Sequence, residues 1–363
     1  MGPGHQRGNT QPPAAPFEPG RPVFVVGEAG SNWRAGELGG DEARAHALID
    51  AAADAACDAV KFQVFRAETI YAPHAGESDY LSAAGIREDI LAILAALEMP
   101  YSLVGELAAH ARERNLEFMA TAFSVVDARA VDPFVRIHKI ASYELSHLRL
   151  IEFLAATKKP LLISTGAATE DVIARTLALI RELGGGPPCL NQCTAAYPAP
   201  PDSVNLRAIP AMAARFGVAV GLSDHSADPI AAPTAAVALG ARAIEKHFTL
   251  DRKLPGPDHA YAVEPDELAA MVRAIRLIEK MLGTGKKVVQ PAEEELFHYS
   301  LRGLQATREI AAGEELREGE NFDILRPGKN RRGLNPFDIA LVEGRRAARA
   351  IKAGEGIRAE DLA

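Results

Sequence analysis

Eight short apolar runs alternate with longer amphipathic stretches between Pro22 and Phe248, and this alternation limits the possible folds more than any other feature of the chain. The runs are Pro22–Gly27, Ala59–Phe65, Glu117–Phe123, Arg136–Ala141, Pro160–Thr165, Cys189–Thr194, Val218–Ser223 and Ala241–Phe248. Most are rich in Val, Ile or Leu, and all are short enough to be strands buried on both faces. Between them lie alanine-rich stretches with helical spacing: Asp41–Ala56, Leu103–Arg114, Leu148–Ala156, Thr169–Leu183, Leu206–Phe216 and Pro229–Leu239. Thr169 followed by Glu170 and Asp171 is a helix-start signal. Strand-like runs separated by helices predict an α/β fold, a (β/α)8 barrel. The rival is a doubly wound open sheet. Its Gly-rich turn is absent, because Glu28-Ala29-Gly30-Ser31-Asn32 is not G-x-G-x-x-G.

With 363 residues, the chain has room for such a barrel and an appendage. Residues 1–20, rich in Pro, Gly and Gln, read as a disordered tail. The barrel is expected over 21–282, closed by a helix at Pro265–Leu282, with a linker over 283–292 and a small β-rich domain over 293–363. That last part holds a weak repeat, in which Arg308–Leu316 resembles Arg349–Ile357. A net charge of −8 argues against a general nucleic-acid binder. No apolar run reaches membrane-spanning length, so no membrane partner is expected. Three cysteines, Cys57, Cys189 and Cys193, are too few for a disulfide framework and point to a reducing, cytoplasmic setting. Cys189 and Cys193 read as packing residues.

In a barrel, the chemistry gathers at the C-terminal ends of the strands. Those ends carry Glu28 and Asn32; Lys61 and Gln63; Thr121, Phe123 and Ser124; Lys139, Ser142 and Glu144; Ser164, Thr165 and Gly166; Gln192, Thr194 and Tyr197; Ser223, Asp224 and His225; Glu245, Lys246 and His247. Strand alternation puts Lys61 and Gln63 on one face and Val60 and Phe62 on the other. Lysine is rarely buried without a partner. Lys61 and Lys139 therefore each require an anion, either a structural carboxylate or, if both face one barrel mouth, a phosphate or carboxylate substrate. His225 and His247 end neighbouring strands with inward parity. Either ring alone could be a hydrogen-bonded core residue, but two side by side suit a divalent metal whose remaining ligands are water or substrate. Pro255-Gly256-Pro257-Asp258-His259 makes a rigid loop able to aim Asp258 over the mouth, or a plain solvated turn. Residues 326–352 carry eight Arg or Lys and two acids. There, Arg326-Pro327-Gly328 has the turn chemistry to present a guanidinium to an anion.

Taken together, these residues resemble the sialic acid synthase family. The matching stretches are Gly27–Asn32, Asp58–Gln63, Lys139–Ser142, Ser164–Gly166, Cys193–Pro198, Gly221–His225, Glu245–Thr249 and Pro255–Asp258, and the tail, with Leu325-Arg326-Pro327-Gly328, is similar to the family's antifreeze-like (SAF) domain. The resemblance implies condensation of phosphoenolpyruvate with an N-acyl hexosamine aldehyde, of the N-acetylmannosamine kind, to a nine-carbon α-keto acid and phosphate. It implies that His225 and His247 bind a divalent ion, Mn2+ before Mg2+ or Co2+. Lys61, Thr121, Lys139, Ser142, Ser164 and Ser223 would hold phosphoenolpyruvate. Glu28, Gln63, Glu144, Tyr197 and Asp258 would contact the sugar, with Glu28 moving protons, and Asn32 would be a further substrate-binding residue. Arg326 would reach the acyl group from the partner in a domain-swapped homodimer. Three departures stand out. Asn32-Trp33-Arg34-Ala35-Gly36 replaces Asn-His-Asn-Gly, Gln192-Cys193-Thr194 replaces His-Cys-Thr, and Lys329–Arg332 is a basic insertion. The expectation is that they touch the second substrate. Two rivals stay open: a phosphoenolpyruvate-dependent synthase acting on another sugar aldehyde, and a non-catalytic sugar-binding homologue.

Overall fold

The computed structural model describes residues 15–36, 39–77 and 87–363. They form two compact units, divided between Gly283 and Thr284. The first holds the expected closed parallel barrel. Its strands are β1 (Phe24–Gly30), β2 (Ala59–Val64), β3 (Glu117–Ala122), β4 (His138–Ile140), β5 (Leu161–Ser164), β6 (Pro188–Cys193), β7 (Ala219–Asp224) and β8 (Ala243–His247). β1 pairs with β8 to close the ring. β1 runs on to Gly30, past the Gly27 limit expected from sequence, so Glu28 lies within the ladder.

The helices that cover the barrel bury small faces, as the alanine content predicts. Helix α1 (Asp41–Asp54) buries Ala45, Leu48, Ile49 and Ala52, one face at helical spacing. The closing helix α2 (Pro265–Leu282) starts with a capping box between Glu264 and Glu267 and with Pro at its first turn. It buries Leu268, Met271, Val272 and Ile275.

Inward-facing residues change character along the barrel axis. At the N-terminal end, Val26, Ala59, Met119, Leu162, Cys189 and Ala243 form an apolar layer. Ala15 and Phe17 pack into the same cluster, each only 1% exposed. This corrects the expectation of disorder over 15–20: Phe17 supplies the apolar plug for that end of the barrel. Residues 1–14 of the proposed tail lie outside the described residues.

The second unit has its own core, with Leu304, Ile310, Leu316, Phe322, Val342, Ile351 and Ile357 fully buried. A short helix (Glu294–Ser300), not foreseen in the sequence, precedes its antiparallel pair β9 (Gly303–Ala306) and β10 (Phe322–Leu325). The weak repeat is real in three dimensions. Ile310 and Ile351 exchange both backbone hydrogen bonds at 2.9 Å, and the ion pairs Arg308–Glu314 and Arg349–Glu355 match at 2.7 Å. No single helix among the described residues is long and apolar enough to cross a membrane.

Candidate active site

Strand register brings the polar residues of the inward series to one level. Glu28 sits opposite Lys61 on one side and His247 on the other. Thr121 sits opposite both Gln63 and Lys139, and Ser223 opposite Glu245. They line a cavity of about 250 Å3 at the C-terminal end of the barrel, with Ser142, Ser164, Cys193, Tyr197, His225, Asp258 and Tyr261. The loop after β5 must pass close to its neighbours. A Cβ on Gly166 would lie 2.9 Å from Ser142 Oγ and 3.0 Å from Cys193 Sγ, so any larger residue there would have to displace two side chains that line the cavity.

The floor is an alternating set of four buried charges. Lys61 Nζ lies 2.5 Å from Glu28 Oε2 and 3.7 Å from Glu245 Oε1. Lys139 Nζ lies 3.2 Å from Glu245 Oε2 and also donates to Ser164 Oγ. Lys61 donates to Thr121 Oγ1 at 3.0 Å, and Ser223 donates to Glu245 Oε1 at 3.1 Å. Burial opposes every one of these charges, and their mutual attraction sorts them. Against burial, Lys139 and Lys61 hold Glu245 down to about 2. Burial lifts Glu28 to about 7, despite Lys61 beside it. Glu245 and Glu28 outweigh burial at Lys61 and keep its pKa high, while burial wins at Lys139 and lowers it. Glu28 is thus a carboxyl group poised to take or give a proton near neutrality.

The two imidazoles stand above this floor with ring centroids 5.4 Å apart. His225 Nδ1 is 2.7 Å from the Thr194 carbonyl, which can only accept, so Nδ1 carries the hydrogen and Nε2 keeps its lone pair. His247 Nδ1 is 3.4 Å from the Tyr261 hydroxyl. Burial lowers both pKa values to about 4, so both rings are neutral at physiological pH. Neutral rings engaged through Nδ1 are the form that ligates a metal, so the pair fits a divalent ion. Among the described residues no group of three or more His, Cys, Asp or Glu comes together as a metal cluster. An ion held by these two histidines would take its other ligands from water or substrate. Behind the histidines, Lys246 and Asp224 have the opposite parity and pair at 2.6 Å, both buried.

Most of the site residues read from the sequence line the cavity, and three do not. Asn32 is buried and its amide donates to the Phe248 carbonyl at 2.8 Å, fastening the β1 loop to β8. Glu144 is buried beside the lining residues Ser142 and Tyr143, with its pKa lifted by burial to about 7. Arg326 belongs to the second unit, where it is exposed. Two of the departures expected to touch substrate are structural instead. Trp33 is part of the main core, 2% exposed, and Gln192 faces away from the cavity to donate to the Val204 carbonyl. Conversely, Glu245, Cys193, Tyr143 and Tyr261 line the cavity without having been singled out for it. Parity with His247 was the available signal for Glu245. Cys193 shares parity with Cys189 but sits at the cavity end of β6.

The fold and this geometry agree with what the chain is similar to. It is 40% identical over 360 residues to the spore coat polysaccharide biosynthesis protein SpsE of Bacillus subtilis, covering 94% of each chain. It is 33% identical to the N,N'-diacetyllegionaminic acid synthase of Legionella pneumophila, covering 91% of this chain and 92% of that one. Among solved structures, N-acetylneuraminic acid synthetase from Leptospira borgpetersenii, in complex with citrate, matches with a TM-score of 0.67 and 33% identity, over 76% of this chain and 90% of that one. Residues 302–363 match the SAF domain. Residues 48–287 match the NeuB family, and the chain belongs to that family as a transferase-type, carbon–carbon bond-forming synthase.

Proposed function

We propose that this protein condenses phosphoenolpyruvate with the open-chain aldehyde of an N-acylated amino sugar, releasing phosphate and a nine-carbon α-keto sugar acid. One observation carries the reading: two buried lysines and two neutral histidines converge on one cavity beside a carboxyl group poised near neutrality. The names of relatives that make legionaminic, pseudaminic and sialic acids support it.

Phosphoenolpyruvate is a small trianion. Lys61 and Lys139 offset its charge, and the hydroxyls of Thr121, Ser142, Ser164 and Ser223 offer donors around the same cavity. Gln63, Tyr197 and Asp258 face the sugar, with Glu28 below them on the cavity floor and Glu144 beside the lining residues Ser142 and Tyr143. His225 and His247 would hold the divalent ion, Mn2+ before Mg2+ or Co2+, which when bound supplies Lewis acidity toward the aldehyde oxygen. Seating both reactants in one cavity makes the encounter effectively intramolecular. C3 of phosphoenolpyruvate attacks the aldehyde carbon, and the aldehyde oxygen becomes a hydroxyl. Water adds at C2. The resulting tetrahedral centre expels phosphate by C–O cleavage and leaves the keto group. Glu28 moves the protons, since a carboxyl group near neutrality serves in both directions. Arg326 reaches the acyl group from the partner of a domain-swapped homodimer.

The test is phosphate release from phosphoenolpyruvate and Mn2+ with a panel of N-acyl hexosamines, including N-acetylmannosamine and di-N-acetylated sugars. Release that depends on one of these sugars supports the reading. No release with any of them, from a folded protein, would overturn it.

A further inference from the structure

Tyr261 sits in the loop after β8, and no sequence motif drew attention to it. Its ring lies against His247 and Tyr197, with centroids 5.4 and 5.2 Å away. Its hydroxyl is 2.9 Å from Asp258 Oδ1 and 3.4 Å from His247 Nδ1. The other carboxylate oxygen, Asp258 Oδ2, accepts from Ser31 Oγ at 2.8 Å. A carboxylate only accepts, so the phenol proton is committed to Asp258. The phenol oxygen is then left to accept from His247 Nδ1–H.

We propose that Tyr261 is a positioning residue that links the metal-binding ring of His247 to the sugar-facing carboxylate of Asp258, through the chain His247 Nδ1–H to Tyr261 O–H to Asp258. The two histidines are supported differently. His225 is held by a main-chain carbonyl, which no neighbouring side chain can withdraw. His247 is held by a hydroxyl whose own orientation depends on Asp258. The chain fixes His247 in the tautomer with a free Nε2, the usual task of a group behind a metal ligand. It also makes the His247 end of the site responsive to whatever engages Asp258. This inference rests on the proposed function for the roles of the two ends, metal ligand and sugar contact, but the hydrogen-bond chain itself is a property of the metal-free protein.

Tyr261→Phe keeps the ring and removes both hydrogen bonds. Nitrogen NMR of histidine-labelled, metal-free protein at pH 7.5 reads the tautomer directly. His247 should carry its hydrogen on Nδ1 in the parent and mix the two tautomers in the variant, with His225 unchanged. Mn2+ binding without substrate, followed by electron paramagnetic resonance of the free ion, should weaken roughly tenfold. The KM for the amino sugar should rise several-fold while that for phosphoenolpyruvate stays within twofold. Asp258→Asn should also weaken Mn2+ binding, and much less so once Tyr261 is already Phe. The proposal is overturned if Tyr261→Phe leaves both the His247 tautomer and the Mn2+ affinity within twofold of the parent. It is also overturned if the two substitutions weaken Mn2+ binding additively, which would mean that Asp258 acts on the ion through space. A parent protein that binds no Mn2+ and releases no phosphate would instead overturn the proposed function, and the tautomer measurement on the same metal-free samples would still decide whether Tyr261 holds His247.

Discussion

Glu245 Oε2 lies 3.2 Å from Lys139 Nζ, and both side chains are buried inside the barrel mouth. The same carboxylate is 3.7 Å from Lys61 through its other oxygen. It is the counterion that both lysines share, and it stands where an anionic substrate would be drawn. Removing its charge leaves two ammoniums with Glu28 alone. Glu245→Gln should therefore destabilise the ligand-free protein by on the order of 3 kcal/mol in chemical denaturation. It should also remove a like charge from the path of phosphoenolpyruvate, so added phosphoenolpyruvate should raise the melting temperature of the variant more than that of the parent. Equal stability and equal ligand shifts would mean that Glu245 carries no such burden.

The lysines themselves should control phosphoenolpyruvate and not the sugar. Losing one charge-assisted contact costs about 2–3 kcal/mol, which is roughly a 30- to 150-fold rise in KM. Lys61→Ala and Lys139→Ala should each show it, with the KM for the amino sugar nearly unchanged. Variants that bind phosphoenolpyruvate as tightly as the parent would make both lysines purely structural.

Metal removal is the direct check on the histidine pair. Two protein ligands do not trap an ion against a strong chelator, so EDTA should abolish activity and Mn2+, Mg2+ or Co2+ should restore it. His225→Ala or His247→Ala should lose most activity with the barrel still folded by circular dichroism. Full activity in metal-free protein would remove the ion from the reaction.

Acid should weaken the fold through a buried histidine outside the cavity. His138 is 1% exposed, and burial, with Lys159 nearby, lowers its pKa to about 4 even though Asp132 lies 3.0 Å away. A histidine whose folded pKa is depressed contributes stability that is full above about 6.5 and is lost as pH falls toward 4. The size is roughly 3 kcal/mol, at about 1.4 kcal/mol per pKa unit. His138→Gln cannot titrate, so its stability deficit against the parent, measured by urea denaturation, should shrink from pH 7 to pH 4. A constant deficit would mean that His138 does not titrate in this range.

Much of the site was legible because a few residues contradict their surroundings. Lys61 and Lys139 are charges inside apolar runs, and His225 and His247 share inward parity on adjacent strands. The barrel followed from the alternation of runs, and its ends from which residues were polar. What escaped depended on three-dimensional neighbours. Phe17 lies in a Pro- and Gly-rich stretch with no periodicity, yet it fills the apolar end of the barrel. Glu245 was hidden inside a motif read for its histidine. Tyr261 lies on a loop, where no periodicity indicates which way a side chain faces. Trp33 and Gln192 sit on segments that flank the cavity but turn into the core. For Gln192, parity was available as a warning, since it alternates with the inward Asn191 and Cys193.

Arg326 belongs to a unit separate from the barrel. The family reading gives it to the active site of a partner subunit. Eight residues, 283–290, separate the end of helix α2 at Leu282 from the next helical turn at Pro291, so an extended reach of roughly 25–30 Å is available for exchange in a two-fold dimer. Arg326→Ala and His225→Ala subunits should each be inactive as homodimers. When they are mixed and allowed to exchange, each heterodimer should carry one site with both lesions and one site with none. Activity should then return toward a quarter of the parent value, because about half the dimers are mixed and each has one intact site of two. Self-capping chains would place one lesion in every site of such a mixture. Recovery with heterodimers verified by mass would establish the shared site, and its absence with heterodimers present would assign each domain to its own barrel.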